Sequence, residues 1–308
     1  MTGKRSRLTK CIMWNRLAYI IGLGAILLSA CQREVPDPGH LPEAEEPRQM
    51  ATFTLQASKS DDTKALSLDG NTLNAYWKDG ESVLVYDDSG FLLGSLDVIP
   101  AEGEKPSSAT LTGTLDVTGV KAGDNLTLMI PRHEWNYTGQ VGTLTGENSI
   151  EEKYDYASAT IEIATVGEGV ITATGPAQFS NDQSIYRFGF IENEEALSVR
   201  LFVVRASSNK LVQSVSSGET TYGAFKVKPA AATTDLIYVS IRNESVGPAC
   251  AGDTYHFIVV GSDQSAHLGT KPIPASVMGR QGLFISAKSI AVNKLILPKS
   301  STPATTVW

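Results

Sequence analysis

The side chains able to do covalent or coordination chemistry are few in this chain. It has three cysteines, Cys11, Cys31 and Cys250, and four histidines, His40, His133, His256 and His267. No two histidines stand three or four positions apart. The run His133-Glu134-Trp135-Asn136-Tyr137 lacks the second histidine of a zinc-protease helix, so spacing supports no metal site. No nucleophile turn of the G-x-S-x-G type, no phosphate-cradling P-loop and no dinucleotide fingerprint occurs. Acidic pairs such as Asp87-Asp88 and Glu194-Glu195 fall at turn positions, where solvated charge is the ordinary role. The run LDGNTLN at 68–74 does not go on to the oxygen ligands and closing glutamate of a calcium loop. These residue types predict no catalytic residue, no metal and no cofactor, hence a protein that is not an enzyme. One reactive group stands in a defined setting: the thiol of Cys31.

Residues 1–16 carry Lys4, Arg5, Arg7, Lys10 and Arg16 and no acid. An apolar run from Leu17 to Leu28 follows. Its twelve residues make about 18 Å of helix against about 30 Å of hydrocarbon, too short for a permanent span. A basic region, a short apolar region and small residues at its end read as an export signal at 1–30. Leu28-Ser29-Ala30-Cys31 resembles the bacterial lipobox. That resemblance implies that Leu28, Ser29 and Ala30 are recognised by the signal peptidase. Cys31 then receives a diacylglyceryl group and becomes the first residue of the mature chain. Two or three acyl chains, palmitate among them, hold far more firmly than one.

Removing residues 1–30 leaves 278 residues with 33 acidic and 21 basic groups, a balance of −12. A nucleic-acid partner needs a cationic surface and is excluded on this balance. Cys250 would then be the one cysteine left outside the acylation site, so no internal disulfide is available and the fold stands on apolar burial. From Cys31 to about residue 50 the chain holds Pro36, Pro38, Pro42 and Pro47 and few large apolar residues. It reads as an extended tether.

Regular structure begins at ATFTLQA, 51–57, where Phe53, Leu55 and Ala57 alternate with polar residues. Similar short runs recur at 82–86, 91–99, 109–117, 125–130, 159–166, 169–174, 185–191, 197–205, 210–215, 224–228, 235–241, 254–260 and 283–297. Turn clusters such as KDGE, DDSG, KAGDN and SSGETTYG separate them. No segment after residue 30 sustains a helical period. The reading is all-β, with two tandem sandwiches at 51–175 and 176–308 divided at Gly175-Pro176. Residues 131–156 interrupt the rhythm and carry Trp135, Tyr137, Tyr154 and Tyr156. A loop this long is unusual in a compact domain. If its aromatics form an exposed platform around Trp135, a surface glycan-binding lipoprotein of a polysaccharide-uptake system is the alternative function. Trp77, at the head of a strand pair, reads as core.

From Thr63 to Gly90 the run TKALSLDGNTLNAYWKDGESVLVYDDSG resembles the fimbrillin family, the fimbrial subunits and fimbrillin-like lipoproteins of Bacteroidetes. The matching features are Thr63-Lys64, Trp77, the turn Asp79-Gly80-Glu81 and the strand Val83 to Tyr86. Glu81 stands where an Asp is more usual. LTLMIPRHEW at 126–135, YDYASATIEI at 154–163 and IYRFGFIENEEALSVRLFVV at 185–204 are similar to later landmarks in the same order. The terminal run ending at Trp308 is similar as well.

This resemblance implies two transthyretin-like sandwiches exported to the outer membrane as a surface lipoprotein or part of a fimbrium. It implies trimming by an Arg-specific protease, for which Arg48 is the candidate, lying in the tether just before the first strand. It implies partners: other fimbrial subunits, as donor or acceptor of a β-strand, the outer membrane through lipid, and a host or bacterial surface ligand. The family's assembly removes a first strand and refills its groove from a neighbour. Here residues 32–48 are proline-rich and unfit to pack as a strand, so cutting at Arg48 would free the chain from lipid and leave 51–57 in place.

Overall fold

The computed structural model describes residues 47–59, 66–69, 72–130, 134–216, 218–242, 244, 252–277 and 281–296. Leu28, Ser29, Ala30, Cys31, the tether up to residue 46, Thr63, Lys64, Cys250 and Trp308 lie outside them. Among the described residues no helix is long and apolar enough to cross a membrane.

The chain is all-β, as its alternating pattern predicts. The first half supplies β1 (Met50–Lys59), β2 (Leu66–Asp69), β3 (Thr72–Ala75), β4 (Ser82–Tyr86), β5 (Leu92–Pro100), β6 (Ser108–Asp116) and β7 (Asn125–Ile130). It continues with β8 (Trp135–Asn136), β9 (Ala157–Val166), β10 (Val170–Ala173) and β11 (Ala177–Asn181). Among the described residues, β2 pairs with β3 alone, as a hairpin. The large first sheet runs β10-β1-β11-β9-β7-β4-β5-β6 and then closes, because β6 pairs back to β1 and β10 also pairs with β9. Among the described residues, closure leaves this large sheet without a free edge. Inward residues meet in one core that includes Phe53, Trp77, Leu96, Leu111, Leu128, Ile163 and Phe179. Outward positions are polar and laddered: the Thr54 and Thr112 hydroxyls lie 2.9 Å apart, and Gln56 donates to Thr110 at 3.0 Å.

The second half supplies β12 (Ser184–Glu192), β13 (Glu195–Ala196), β14 (Val199–Ala206), β15 (Val212–Ser216), β16 (Glu219–Tyr222) and β17 (Phe225–Val227). Then come β18 (Ile237–Ile241), β19 (Asp253–Gly261), β20 (Ala266–Ile273) and β21 (Phe284–Lys294). These form a curled sheet, β12-β21-β20-β19-β14-β17, with β18 beside β12 and β13 folded back on the end of β12. Its core is aromatic. Phe257 lies 5.2 Å from Phe188 and 5.3 Å from Phe190, both edge to face, the preferred geometry for ring pairs. Strand β12 runs parallel to β21, and the register slips near Gly189. A side chain there would meet the Lys288 carbonyl at 2.2 Å, so the close approach needs glycine.

Residues 134–156 join the two halves. Strand β8 pairs with β15, and the Tyr238 N–H donates to the Gly142 carbonyl at 2.9 Å. Gly142 has φ +84°, and a Cβ there would lie 2.4 Å from Ile237. The segment ends in a five-residue π-helical turn, Ile150–Tyr154, capped by Ser149, whose hydroxyl accepts from the Glu152 N–H at 3.3 Å.

Candidate functional site

The first strand sits at the closure of the first sheet. On one flank β1 pairs antiparallel with β6 over its length, from Met50 opposite Asp116 to Ser58 opposite Ser108. On the other flank it runs parallel to two short strands in series. Thr52 and Phe53 face β10, and Ala57, Ser58 and Lys59 face β11. Ala51, Phe53, Leu55, Ala57 and Lys59 point inward and are buried. A strand that β-branched and polar residues keep wet on one face and apolar residues keep dry on the other has a single allowed register. Without β1 the barrel would hold a groove of roughly 33 Å, ten residues at strand rise, with a bare edge on each side.

The inner end of this strand carries a buried charge. Lys59 keeps the inward parity of Phe53, Leu55 and Ala57, and its side chain has no exposure. Its Nζ donates to the Tyr76 carbonyl at 2.8 Å and to Glu81 Oε2 at 3.1 Å, and lies 3.9 Å from the centre of the Trp77 ring. Glu81 also accepts the Lys78 N–H at 3.1 Å, which fixes the turn after Trp77. Trp77 in turn stands edge-on to Phe179 of β11 at 5.4 Å. The motif Trp77…Asp79-Gly80-Glu81 is therefore the seat on which the end of β1 rests. Trp77 is core, as expected. Sequence reasoning missed Lys59, although a lysine on the inward parity of an alternating strand was a readable signal.

Arg48 lies just outside the strand. Its side chain is 84% exposed, with Nε 3.9 Å from Asp116 Oδ2. The ladder starts one residue later, where Gln49 donates to the Thr118 hydroxyl and accepts from the Val117 N–H, both at 2.8 Å. The bond after Arg48 is thus at the border between tether and sheet, and its scission would leave every β1 pairing intact. The next lysine after the strand, Lys64, falls outside the described residues.

The exposed aromatic platform that the alternative function would need around Trp135 is not formed among the described residues. Tyr137 is fully buried, Tyr154 and Tyr156 are buried, and Trp135 is covered by the Arg242 guanidinium 4.3 Å from its ring. These rings pack between the two halves: Tyr137 and Tyr156 meet edge to face at 5.3 Å. The Gln140 amide ties them down, donating to the Tyr137 and Ser240 carbonyls at 2.8 Å and accepting from the Ser240 N–H at 2.7 Å. Aromatics spaced through a polar run look like a surface loop in sequence. Their burial depends on partners remote in sequence, such as Gln183 beside Tyr156 and Ser240 beside Tyr154. Asp182, at the passage from β11 to β12, belongs to this region. Burial pushes its carboxyl up to about 6, and the Arg242 charge and the Ser158 hydroxyl at 3.3 Å hold it below what burial alone would give. Among the described residues no group of three His, Cys, Asp or Glu side chains could hold a metal ion.

This chain is similar to fimbrial and adhesion proteins of known structure. A putative adhesin from Bacteroides ovatus aligns over 81% of this chain and 93% of its own at 9% identity, with a TM-score of 0.40. The tip fimbrial protein Mfa3 from Porphyromonas gingivalis aligns over 73% and 81% at 10% identity, with a TM-score of 0.35. A fimbrial assembly protein from Parabacteroides distasonis aligns over 78% and 90% at 12% identity, with a TM-score of 0.34. No protein-family model matches the chain. No curated protein matches it either.

Proposed function

We propose that this protein is a lipid-anchored fimbrial subunit, or fimbrillin-like surface adhesion protein, that assembles by exchange of the first strand. The observation that carries this reading is the position of β1: it sits at the closure of the first sheet, with paired neighbours on both flanks, four inward residues in the apolar core and a fifth, Lys59, buried beside it. A strand from another subunit with the same alternation could fill its place, satisfying both edges and the groove at once. Such a contact is head-to-tail and does not close on itself, so a filament grows.

In this account Cys31, set after Leu28-Ser29-Ala30, carries the lipid, and the proline-rich tether holds the two domains, 51–175 and 176–308, away from the outer membrane. Cleavage after Arg48 detaches the folded part from the lipid. Emptying the groove takes a second cut beyond β1, and Lys64 is the first basic residue past that strand. A chain left uncut keeps its lipid and serves as an anchor or accessory subunit, and a chain cut at both sites polymerises. The role is structural and adhesive, not catalytic.

Limited digestion of the mature chain with a trypsin-like protease tests this. The expected products are a cut at Arg48, a second between residues 59 and 65, and a ladder of oligomers that appears with the second. A digest that leaves the region from Arg48 to Lys64 intact, or one that cuts there and yields only monomer, removes the mechanism.

A further inference from the structure

The outer faces of the two sheets differ in kind. Where β1 meets β6, that of the first is a ladder of Thr, Ser and Gln. On the second, outward positions along the middle of β14, β19 and β20 form an aliphatic stripe. Val203 stands opposite Ile258, and Ile258 opposite Leu268, while Leu201 lies opposite Val260 in the next rung. Ile258 is 50% exposed and Leu268 45% exposed. Cations flank this stripe: Lys226 of β17 is opposite Val203, and Arg205 is opposite His256. Both are exposed, and neither has an ion pair among the described residues. A groove of about 530 Å³ runs between β14 and β19, with Val203 and Ile258 as its floor and Arg205 and His256 at one end. An apolar patch rimmed by like charges on an otherwise acidic chain marks an interaction surface.

The complement of that surface is on the first half of the same chain. The turn between β4 and β5 exposes Phe91 at 61% and Leu92 at 47%. Beside them Asp88 is exposed. The turn is rigid, because the Asp87 carboxylate accepts from the Ser89 N–H, the Ser89 hydroxyl and the Phe91 N–H at 2.7–2.9 Å. Asp87 is used up in shaping the turn, which leaves Asp88 to face outward. A preorganised tip with an aromatic ring, an aliphatic chain and a carboxylate fits an aliphatic groove ending in arginine.

We infer that the β4–β5 turn of one copy docks on the outer face of β14, β19 and β20 of a second copy, Phe91 and Leu92 on Val203 and Ile258, Asp88 toward Arg205. The two patches differ, so the contact is head-to-tail. It is separate from strand exchange, because it needs no strand to leave.

The test is sedimentation of the exported chain with β1 in place and no protease. The parent self-associates as concentration rises. Phe91→Asp or Ile258→Asp, each at an exposed position, weakens the association constant at least about tenfold. A mixture of the two variants stops at dimers, because each retains one intact patch. Reversing the charges one at a time, as Asp88→Arg or Arg205→Glu, weakens association, and the two reversals together restore it. A monomeric parent, variants that associate like the parent, or a mixture that does not dimerise overturns the inference. None of these results bears on strand exchange, which is read only after cleavage.

Discussion

Replacing Glu81 with alanine strikes the seat of β1 without touching the strand. The substitution removes the carboxylate 3.1 Å from the Lys59 ammonium and the acceptor of the Lys78 N–H. Lys59 has no side-chain exposure and Glu81 only 15%, so water cannot replace the lost charge at the buried side. Removing one partner of a buried pair costs about 3–5 kcal/mol, and the partial exposure of Glu81 puts the expected loss near 3. At about 4 °C per kcal/mol for a domain of this size, the first half should melt roughly 10 °C lower. Differential scanning calorimetry reads that shift. Limited proteolysis at native temperature should show faster cutting after residue 59, because the end of β1 loosens first. Exchanging both partners for apolar residues, Lys59→Met with Glu81→Leu, should recover most of the loss, since a well-packed apolar pair often equals a buried ion pair. A melting shift under 2 °C for Glu81→Ala, or no recovery in the double variant, would refute the assignment of this pair as the anchor of β1.

Three further outcomes follow from the same geometry. Phe53→Ala empties a fully buried ring site in β1 and should cost about 3–5 kcal/mol in chemical denaturation. Gly142→Ala forces a side chain at φ +84° against Ile237 and should loosen the junction between the halves, seen as faster hydrogen exchange at the Tyr238 N–H. For Asp182 the folded carboxyl is raised to about 6 from an ordinary 3.8, so the fold prefers the protonated form. Its favourable contribution is complete below pH 4 and disappears as pH rises through 6. Asp182→Asn should therefore flatten stability between pH 4 and 7 and raise it at neutral pH by about 1–3 kcal/mol, read from urea titrations at several pH values.

Much of the fold was legible because inward and outward residues alternate. ATFTLQA became β1 with Phe53, Leu55 and Ala57 inward, and NLTLMI became β7. Strand β11 escaped notice because it follows Pro176 and is mostly polar, yet Ala177, Phe179 and Asn181 are buried on its inner side. Strand β20 was not read either, because its faces run against hydropathy: His267 is buried, while Leu268 is exposed on the outer face that the proposed self-contact uses. Periodicity assigns faces and not neighbours, so the closure of the sheet by parallel pairing of β1 with β10 and β11 could not be read. For the same reason the burial of Tyr137 and Tyr156 was hidden, since their partners Val212 and Gln183 are remote in sequence. The site was half visible. Arg48 and Trp77 stood out from their setting, whereas the link from Lys59 to Glu81 needed the turn after Trp77 in three dimensions.

Membrane attachment has a simple check. Cys31→Ser should move the protein from the membrane fraction to the soluble fraction, and unchanged retention would end the lipoprotein reading.

The central claim is that β1 must leave for subunits to join by strand exchange. Thr54 of β1 and Thr112 of β6 face each other on the outer surface, with hydroxyls 2.9 Å apart. Replacing both with cysteine allows a disulfide that locks β1 in the sheet without entering the core. After protease treatment, on gels whose detergent disrupts surface contacts, the account predicts strand-exchanged ladders from this variant under reducing conditions and none when the disulfide is closed. Equal ladders in both states would contradict it.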